Sequence, residues 1–227
     1  MQPEKSAMTG LEVLLAGGAG GLGSATSELL EAEGAHVVIS SRNRGLRADI
    51  TKAADRKWLL DAVPKLYGLV IFAGTPARGT IEDAMRQSHE VNYEGPILLA
   101  REAAERMKTA GTSGAIVLFS TMQAVALFPG STAYAGEKAA LLHSARILAM
   151  ECRGPANVRV NVIAPGVMAA GMAEASIASG KYERYLTGGT ISRYGKAADV
   201  ARAVRFFLEP DNYITGQVLS VDGGITL

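Results

Sequence analysis

The stretch Leu11–Glu33, LEVLLAGGAGGLGSATSELLEAE, joins a short apolar run to an amphipathic segment through a glycine-rich turn. The apolar run predicts a β-strand and the amphipathic segment predicts a helix. The turn contains Gly17, Gly21 and Gly23, and Leu22 stands between the last two. Glycines at such a turn let the backbone approach a pyrophosphate that rests on the helix N-terminus. The stretch therefore predicts a phosphate-binding loop in an α/β sheet, with a flexible, ligand-free turn as the alternative.

Composition excludes several classes of protein. The chain has 227 residues, 48% of them hydrophobic, and a formal net charge of +1, which fits one α/β domain spanning residues 1–227. Scattered basic residues predict no nucleic-acid partner, dispersed histidines predict no metal site, and no apolar run reaches the ~18 residues that a membrane span needs. The one cysteine, Cys152, is predicted to be an inert packing thiol, which suits a cytoplasmic location. Residues 1–10 are expected to form a polar, frayed tail rather than a secretory signal.

Strand-like and helix-like patterns alternate through the rest of the chain. The alternation predicts a single doubly wound, Rossmann-type parallel sheet with helices on both faces. The link Asn43–Leu46 is far shorter than the roughly twelve residues that a parallel crossover needs, so the sheet is expected to be shortened between its second and third strands. Asp83–Lys108 reads as one long helix bent at Asn92–Pro96. Met168–Leu186 has the composition of a mobile lid.

The second predicted strand, His36–Ser40, is followed by Ser41 and Arg42, and no carboxylate occurs there. Arg42 lies nineteen residues after Gly23, where folds that bind NAD usually have an acid that accepts from the ribose 2′-hydroxyl. A guanidinium can instead pair bidentately with a 2′-phosphate, which favours NADP(H) over NAD(H). Other expected cofactor contacts are at neighbouring strand ends: Ser41, Asp49, Ile50, Ala73 and Gly74.

Tyr134 and Lys138 stand four residues apart in a helical pattern, so their side chains share one helix face. A phenol with an ordinary pKa near ~10 becomes a usable acid or base when a neighbouring ammonium favours the phenolate. Thr121 follows the apolar run Ala115–Phe119 and is expected at the carboxyl end of a buried strand, where open α/β sheets bind ligands. These residues predict a catalytic site in one crevice, although a tyrosine and lysine at this spacing alone are more often a surface contact.

Taken together, these motifs resemble the short-chain dehydrogenase/reductase family over essentially the whole chain, and most closely its 3-oxoacyl-(acyl-carrier-protein) reductase-like members. Tyr134 and Lys138 match the family's Tyr-x-x-x-Lys, and Thr121 stands thirteen positions before the tyrosine, where the family has serine. Further matches are the glycine motif, Gly17, Gly21 and Gly23; the helix asparagine, Asn92; and the Pro-Gly after a strand, Pro165-Gly166, which together with Val167 is expected to contact the cofactor. The departures are Thr121 itself, Ala16, the missing asparagines before Ala73, and Ala170 where a threonine commonly contacts the nicotinamide carboxamide.

The resemblance implies an NADP(H)-dependent oxidoreductase that transfers hydride between nicotinamide and a carbonyl or secondary alcohol. It implies that Tyr134 protonates the alkoxide, that Lys138 lowers the pKa of Tyr134 and holds the ribose, that Thr121 binds the substrate oxygen, and that Asn92 fixes a water. The mainly apolar loop Met122–Phe128 and the lid favour a medium-sized apolar substrate and are expected to give no basic clamp for a carboxylate. A homotetramer or homodimer is also implied. The alternative is an NADP(H)-binding sensor or scaffold with little catalysis.

Overall fold

The computed structural model describes residues 7–76 and 80–227, in which seven strands form one parallel sheet. The strands are β1 Glu12–Ala16, β2 His36–Ser41, β3 Leu46–Arg47, β4 Leu66–Ile71, β5 Ala115–Phe119, β6 Arg159–Pro165 and β7 Val218–Val221. Their order across the sheet is β3-β2-β1-β4-β5-β6-β7. The order reverses between β1 and β4, and the crevice outside the carboxyl ends of those strands is where doubly wound sheets bind ligands.

Helices cover both faces of the sheet, which confirms the predicted fold. They are α1 Gly21–Ala32, α2 Ala53–Asp61, α3 Ile81–Ser88, α4 Gly95–Thr109, α5 Met122–Val125, α6 Thr132–Glu151, α7 Glu174–Ala178, α8 Glu183–Thr187 and α9 Ala197–Leu208. One core layer joins the strands to α2, α4 and α6, and the other joins them to α1 and α9. Successive side chains of a strand point to opposite faces, so Leu14 enters the first layer while Val13 and Leu15 enter the second.

The expected shortening lies between β2 and β3. Only four residues, 42–45, connect them, and β3 itself has two residues, which pair in parallel with Ser40 and Ser41. The hydroxyl of Ser41 holds this turn, because it accepts from the Arg44 amide at 2.8 Å and donates to the Arg44 carbonyl at 2.7 Å. Gly45 has φ +71°, and a side chain there would collide with the Ile39 carbonyl oxygen. The tight turn therefore replaces the crossover helix.

The bend predicted in the long helix is a π-helical turn, His89–Glu94, between α3 and α4. Pro96 lies in the first turn of α4, where its missing amide hydrogen costs least. A π-turn inserts a residue into the helical ladder and often marks a functional position. Here it carries Asn92, whose side chain is fully buried.

The N-terminal segment differs from the prediction. Residues 1–6 lie outside the described part of the chain, but residues 7–10 form a turn and Met8 is fully buried in the layer with α1 and α9. The segment is fixed because the Gly10 amide donates to the Gly34 carbonyl at 2.8 Å.

Cys152 is buried as predicted, and burial raises the pKa of its thiol. Within the described ranges, no helix combines the length and apolarity that crossing a bilayer would need.

Candidate active site

The glycine loop between β1 and α1 fits a pyrophosphate. Gly17 has φ +76°, and a Cβ there would lie 2.6 Å from the Ala73 backbone nitrogen. A Cβ on Gly23 would lie 2.3 Å from the Gly18 carbonyl oxygen, so only glycine lets the loop fold back on the first turn of the helix. Helix α1 begins after Gly20, and no side chain caps its first amides. Those amides, together with the positive end of the helix dipole, suit an anion.

Backbone hydrogen bonds and an aromatic contact hold the end of β4. They do so at the position where this chain lacks the asparagines expected from the family resemblance. The amides of Phe72 and Ala73 donate to the Ala16 carbonyl at 2.8 and 3.2 Å. The Phe72 ring packs against Phe119 with centroids 4.5 Å apart. A Cβ on Gly74 would lie 3.1 Å from Asn92 Oδ1 and 3.7 Å from Lys138 Nζ. The expected strand end is therefore ordered, and the structure brings it next to two of the predicted catalytic residues.

Asn92 bonds to groups that the prediction did not name. Its Nδ2 donates to the Thr75 carbonyl and to Ser88 Oγ, both at 2.9 Å, and its Oδ1 accepts from the Thr75 amide at 2.9 Å. Ser88, also fully buried, donates from its hydroxyl to the Ala133 carbonyl at 3.1 Å. The Asn92 side chain therefore fixes the segment after β4. Ser88 links Asn92 to the residue beside Tyr134.

The side chain of Lys138 lies on the face of α6 that packs against the sheet. Its side chain is buried, and Nζ donates to the Phe119 carbonyl at the end of β5 at 2.8 Å. Burial disfavours the ammonium and lowers the pKa of Lys138 to about 8. The neighbouring Ser120 hydroxyl donates to the Lys138 carbonyl at 2.9 Å, which ties α6 to the strand end.

Tyr134 lies one turn before Lys138, as the spacing predicts, but its acidity differs from the prediction. Burial raises the pKa of Tyr134 to about 12, and the nearby Tyr182 raises it further. The Lys138 ammonium points to the Phe119 carbonyl, so the expected lowering of the tyrosine pKa by lysine is not found. At neutral pH the phenol keeps its proton, which makes it a donor.

Thr121 stands directly after β5 and caps α5, where its Oγ1 accepts from the Gln123 amide at 3.3 Å. Thr121 and Tyr134 line the same cleft, which has a volume of about 870 Å³. The cleft is bordered on one side by Leu22 of the glycine loop and on another by Gly166 and Val167 after β6. The structure thus brings the predicted hydroxyl and phenol to one opening with three of the predicted cofactor contacts, Leu22, Gly166 and Val167.

The predicted adenosine contacts lie together at the other end of the crevice. Arg42 is exposed on the turn after β2, and its charge helps to lower the pKa of Asp49. Burial works against this lowering, but hydrogen bonds from the Thr51 hydroxyl and amide to Asp49 outweigh it. Ile50 is buried beside them, and its carbonyl accepts from Arg56 at 3.0 Å. Arg42 is therefore an exposed cation within electrostatic reach of the hydrogen-bonded carboxylate of Asp49.

Several residues around the cleft were missed by the sequence analysis. Ser88 precedes Asn92 by four positions, so helical spacing could have identified it. The lid residues Lys181, Tyr182 and Arg184 also line the cleft. They lie in a short segment without periodicity, and no local pattern marks them.

The buried lysine leads to a prediction about stability. Its pKa falls from 10.5 in the unfolded chain to about 8 in the fold, so between these values the unfolded state binds more protons. The contribution of Lys138 to stability should therefore rise with pH across that window, by up to about 3 kcal/mol, and stay constant below it. Urea unfolding of the cofactor-free wild type and of Lys138→Met at several pH values measures the difference. Lys65→Met, at an exposed site, is the control, and a pH-independent difference for Lys138→Met would contradict the assignment.

The fold and this geometry describe a dinucleotide-binding α/β protein, and comparisons with known proteins agree. A family model described as Enoyl-(Acyl carrier protein) reductase matches residues 48–226. The chain is 33% identical to carbonyl reductase family member 4 of Danio rerio, over 93% of this chain and 96% of the relative. It is 32% identical to a 3-oxoacyl-[acyl-carrier-protein] reductase of Rattus norvegicus, over 93% and 96%. The structure of a short-chain type dehydrogenase/reductase from Mycobacterium ulcerans has a TM-score of 0.88 at 28% identity, covering 96% of this chain and 90% of that one.

The chain belongs to the short-chain dehydrogenase/reductase family. It is an oxidoreductase that acts on CH–OH or C=O groups of small molecules with a nicotinamide cofactor.

Proposed function

We propose that the protein is an NADP(H)-dependent reductase of a carbonyl group on a medium-sized substrate with a mainly apolar body. The observation that carries this proposal is the shared cleft, in which Thr121 and Tyr134 face the same space as the glycine-loop residue Leu22. When bound, the nicotinamide cofactor supplies or accepts the hydride. The glycine loop would hold its pyrophosphate, and Ala73, Gly74 and Val167 would border its nicotinamide half.

Tyr134 is proposed as the proton donor to the substrate oxygen. Its pKa of about 12 keeps the phenol protonated at neutral pH, so the group is ready for the reductive direction. The reverse oxidation needs a phenolate, and it should therefore gain rate as the pH rises. The Thr121 hydroxyl would bond the same substrate oxygen and orient the carbonyl carbon.

Lys138 and Asn92 are proposed to support this proton transfer from below. The Lys138 ammonium, with its pKa lowered to about 8 by burial, can give up and regain a proton near neutral pH. Both side chains lie beside Gly74, so they meet at the strand end where the nicotinamide ribose would rest. Ser88 acts as a positioning residue, because its hydroxyl holds the Asn92 amide.

The reductase proposal is tested with a panel of aliphatic and aromatic ketones, following NADPH absorbance, with NADPH binding measured separately. Turnover of any ketone well above the no-enzyme rate supports the proposal. Tight NADPH binding without turnover of any panel member would instead favour the alternative, a cofactor-binding sensor or scaffold.

Cofactor preference has its own test at Arg42. Changing Arg42 to glutamate removes a charge-assisted bond to the 2′-phosphate and adds repulsion, while glutamate can accept from a 2′-hydroxyl. A bond of this kind contributes roughly 1.5–3 kcal/mol, so the ratio of NADH to NADPH affinity should rise by about 10- to 150-fold. Fluorescence titration with both cofactors measures it. Arg153→Glu, beyond the end of α6 and exposed, should leave the ratio unchanged, and an unchanged ratio in Arg42→Glu would refute the assignment.

We further propose that residues 1–227 act as one dinucleotide-binding oxidoreductase domain, in the cytoplasm, as a homodimer or homotetramer. The single cysteine, Cys152, is buried and cannot form a disulfide within the chain, which suits a reducing compartment. The exposed apolar side chains Ile147 and Met150 on α6 support an interface. Light scattering of the purified protein measures the oligomeric state.

A further inference from the structure

Two cationic side chains, Lys181 and Arg184, line the cleft that contains Thr121 and Tyr134. Among the described residues that form its walls there is no aspartate or glutamate. The lining of the cleft therefore carries two cations and no acidic side chain, although the lid also holds Glu174 and Glu183 outside that lining, and this corrects the prediction that the lid offers no basic clamp. A cleft with charge of one sign raises the local concentration of ligands of the opposite sign.

Aromatic contacts position both cations. Lys181 Nζ lies 5.5 Å from the centre of the Tyr182 ring, and Arg184 Cζ lies 4.8 Å from the centre of the Tyr185 ring. Arg184 also donates from Nη2 to the Tyr185 hydroxyl at 2.8 Å. Cations within about 6 Å of a ring face are attracted to it. The tyrosines therefore restrict the two side chains while leaving their charge uncompensated.

The segment that carries these cations has its own small core. Tyr182 is 9% exposed and packs in a cluster with Met122, Val167, Ile191 and Ile225. Val167 follows β6 and Met122 follows Thr121, so the cluster connects the lid to the strand ends that hold the site. The two cations are thus attached to the rigid part of the cleft.

No carboxylate neutralises the pair within the described part of the chain. Neither Lys181 nor Arg184 forms a salt bridge there, although nine other lysines and arginines do so. On the same lid, Glu174 accepts from the Gly171 amide at 2.7 Å and is thereby engaged elsewhere. Both cations are free to meet an anionic ligand.

The basic pair lies close to the proposed proton donor. Tyr182, the neighbour of Lys181, contributes to the raised pKa of Tyr134, so the two phenols are within electrostatic reach of each other. The rest of the cleft lining includes apolar side chains, among them Met122, Phe128 and Met168, as well as polar ones such as Gln123 and Ser131. A ligand that fills the cleft would therefore meet the phenol, apolar side chains and two cations.

We propose that the substrate of this site carries an anionic group, such as a carboxylate, sulfonate or phosphate, separated from its carbonyl by an apolar chain, and that Lys181 and Arg184 select it. The proposal rests on the proposed reductase function and adds the substrate class. Arg184 can pair with such a group in a fork geometry, and Lys181 adds a point charge. They are specificity residues and take no part in the proton transfer.

The first test compares linear methyl ketones that end in a carboxylate with their methyl esters, over chain lengths from three to six methylenes. The ester removes the charge and keeps the apolar chain. We expect kcat/KM with NADPH to be at least about tenfold higher for the acid at one or more lengths, as charge-assisted contacts of this kind imply. Higher ionic strength should reduce this preference. Sulfonate and phosphate analogues at the best length identify the preferred anion.

The second test uses variants. In Lys181→Gln/Arg184→Gln, kcat/KM for the acid should fall about tenfold through KM, while the value for the ester stays nearly constant. Lys181→Glu should reverse the preference, and Lys65→Glu, with the same change in charge at the amino end of β4, should not. Equal activity on acids and esters, or equal losses for both in the double variant, would overturn the proposal. If no ketone is reduced, the proposed function itself fails, which is a distinct result.

Discussion

Replacing Tyr134 with phenylalanine should reduce kcat for ketone reduction by about 10²- to 10⁴-fold, the usual contribution of a positioned general acid. The phenol is the one proton donor of the described cleft with a pKa raised to about 12, so it delivers a proton that phenylalanine lacks. The ring itself remains, and the fold and NADPH affinity should change little. Steady-state kinetics with the best ketone of the panel, together with NADPH titration, measures both quantities.

The matched control is Tyr213→Phe, because Tyr213 is fully exposed outside the cleft. It should leave kcat unchanged. A Tyr134→Phe variant with nearly normal turnover would show that the proton comes from elsewhere. Equal loss in both variants would point to a general loss of folded protein rather than to chemistry, and circular dichroism would detect that.

The second large effect is expected at Gly23. A methyl group there would lie 2.3 Å from the Gly18 carbonyl oxygen and 2.5 Å from Gly18 Cα, both backbone atoms, so the loop must shift. Overpacking of this kind costs about 1–3 kcal/mol. If this cost weakens cofactor binding, the dissociation constant for NADPH should rise roughly 5- to 150-fold. NADPH titration of Gly23→Ala, with thermal unfolding alongside, separates a loss of binding from a loss of stability.

Gly20→Ala provides the comparison within the same loop. Gly20 has φ −85°, and a Cβ there would meet nothing within 4 Å. Gly20→Ala should lower the unfolding temperature only slightly, because alanine is a weaker helix N-cap than glycine, whereas Gly23→Ala should unfold clearly earlier or bind NADPH more weakly. A Gly23→Ala protein that is normal in both measurements would show that the loop tolerates the extra atom.

Elements that depend on local signals could be predicted from the sequence. The helical pattern around Tyr134 and Lys138 predicted a helix there, and α6, Thr132–Glu151, carries both residues between Pro129-Gly130 and Gly154-Pro155. The missing crossover after β2 was also predicted, since chain length alone limits what four residues can span.

Properties that depend on distant contacts could not be predicted. One hydrogen-bond partner of Asn92 is Thr75, seventeen residues away, and no pattern links the two. The pKa of Tyr134 is raised because the phenol is desolvated, while the Lys138 ammonium points to the Phe119 carbonyl. Both features depend on how α6 packs against the strands. Met8 was assigned to a tail because few apolar residues surround it in the sequence, although it packs against the core.

The two-residue strand β3 has a consequence for how the protein behaves at high concentration. It forms one edge of the sheet, and an exposed edge presents unpaired amides and carbonyls to which a strand of another molecule can add. Two residues, followed directly by Ala48 and the polar turn at Asp49, offer an incoming strand almost no length to pair with. The shortened crossover thus protects this side of the sheet against aggregation.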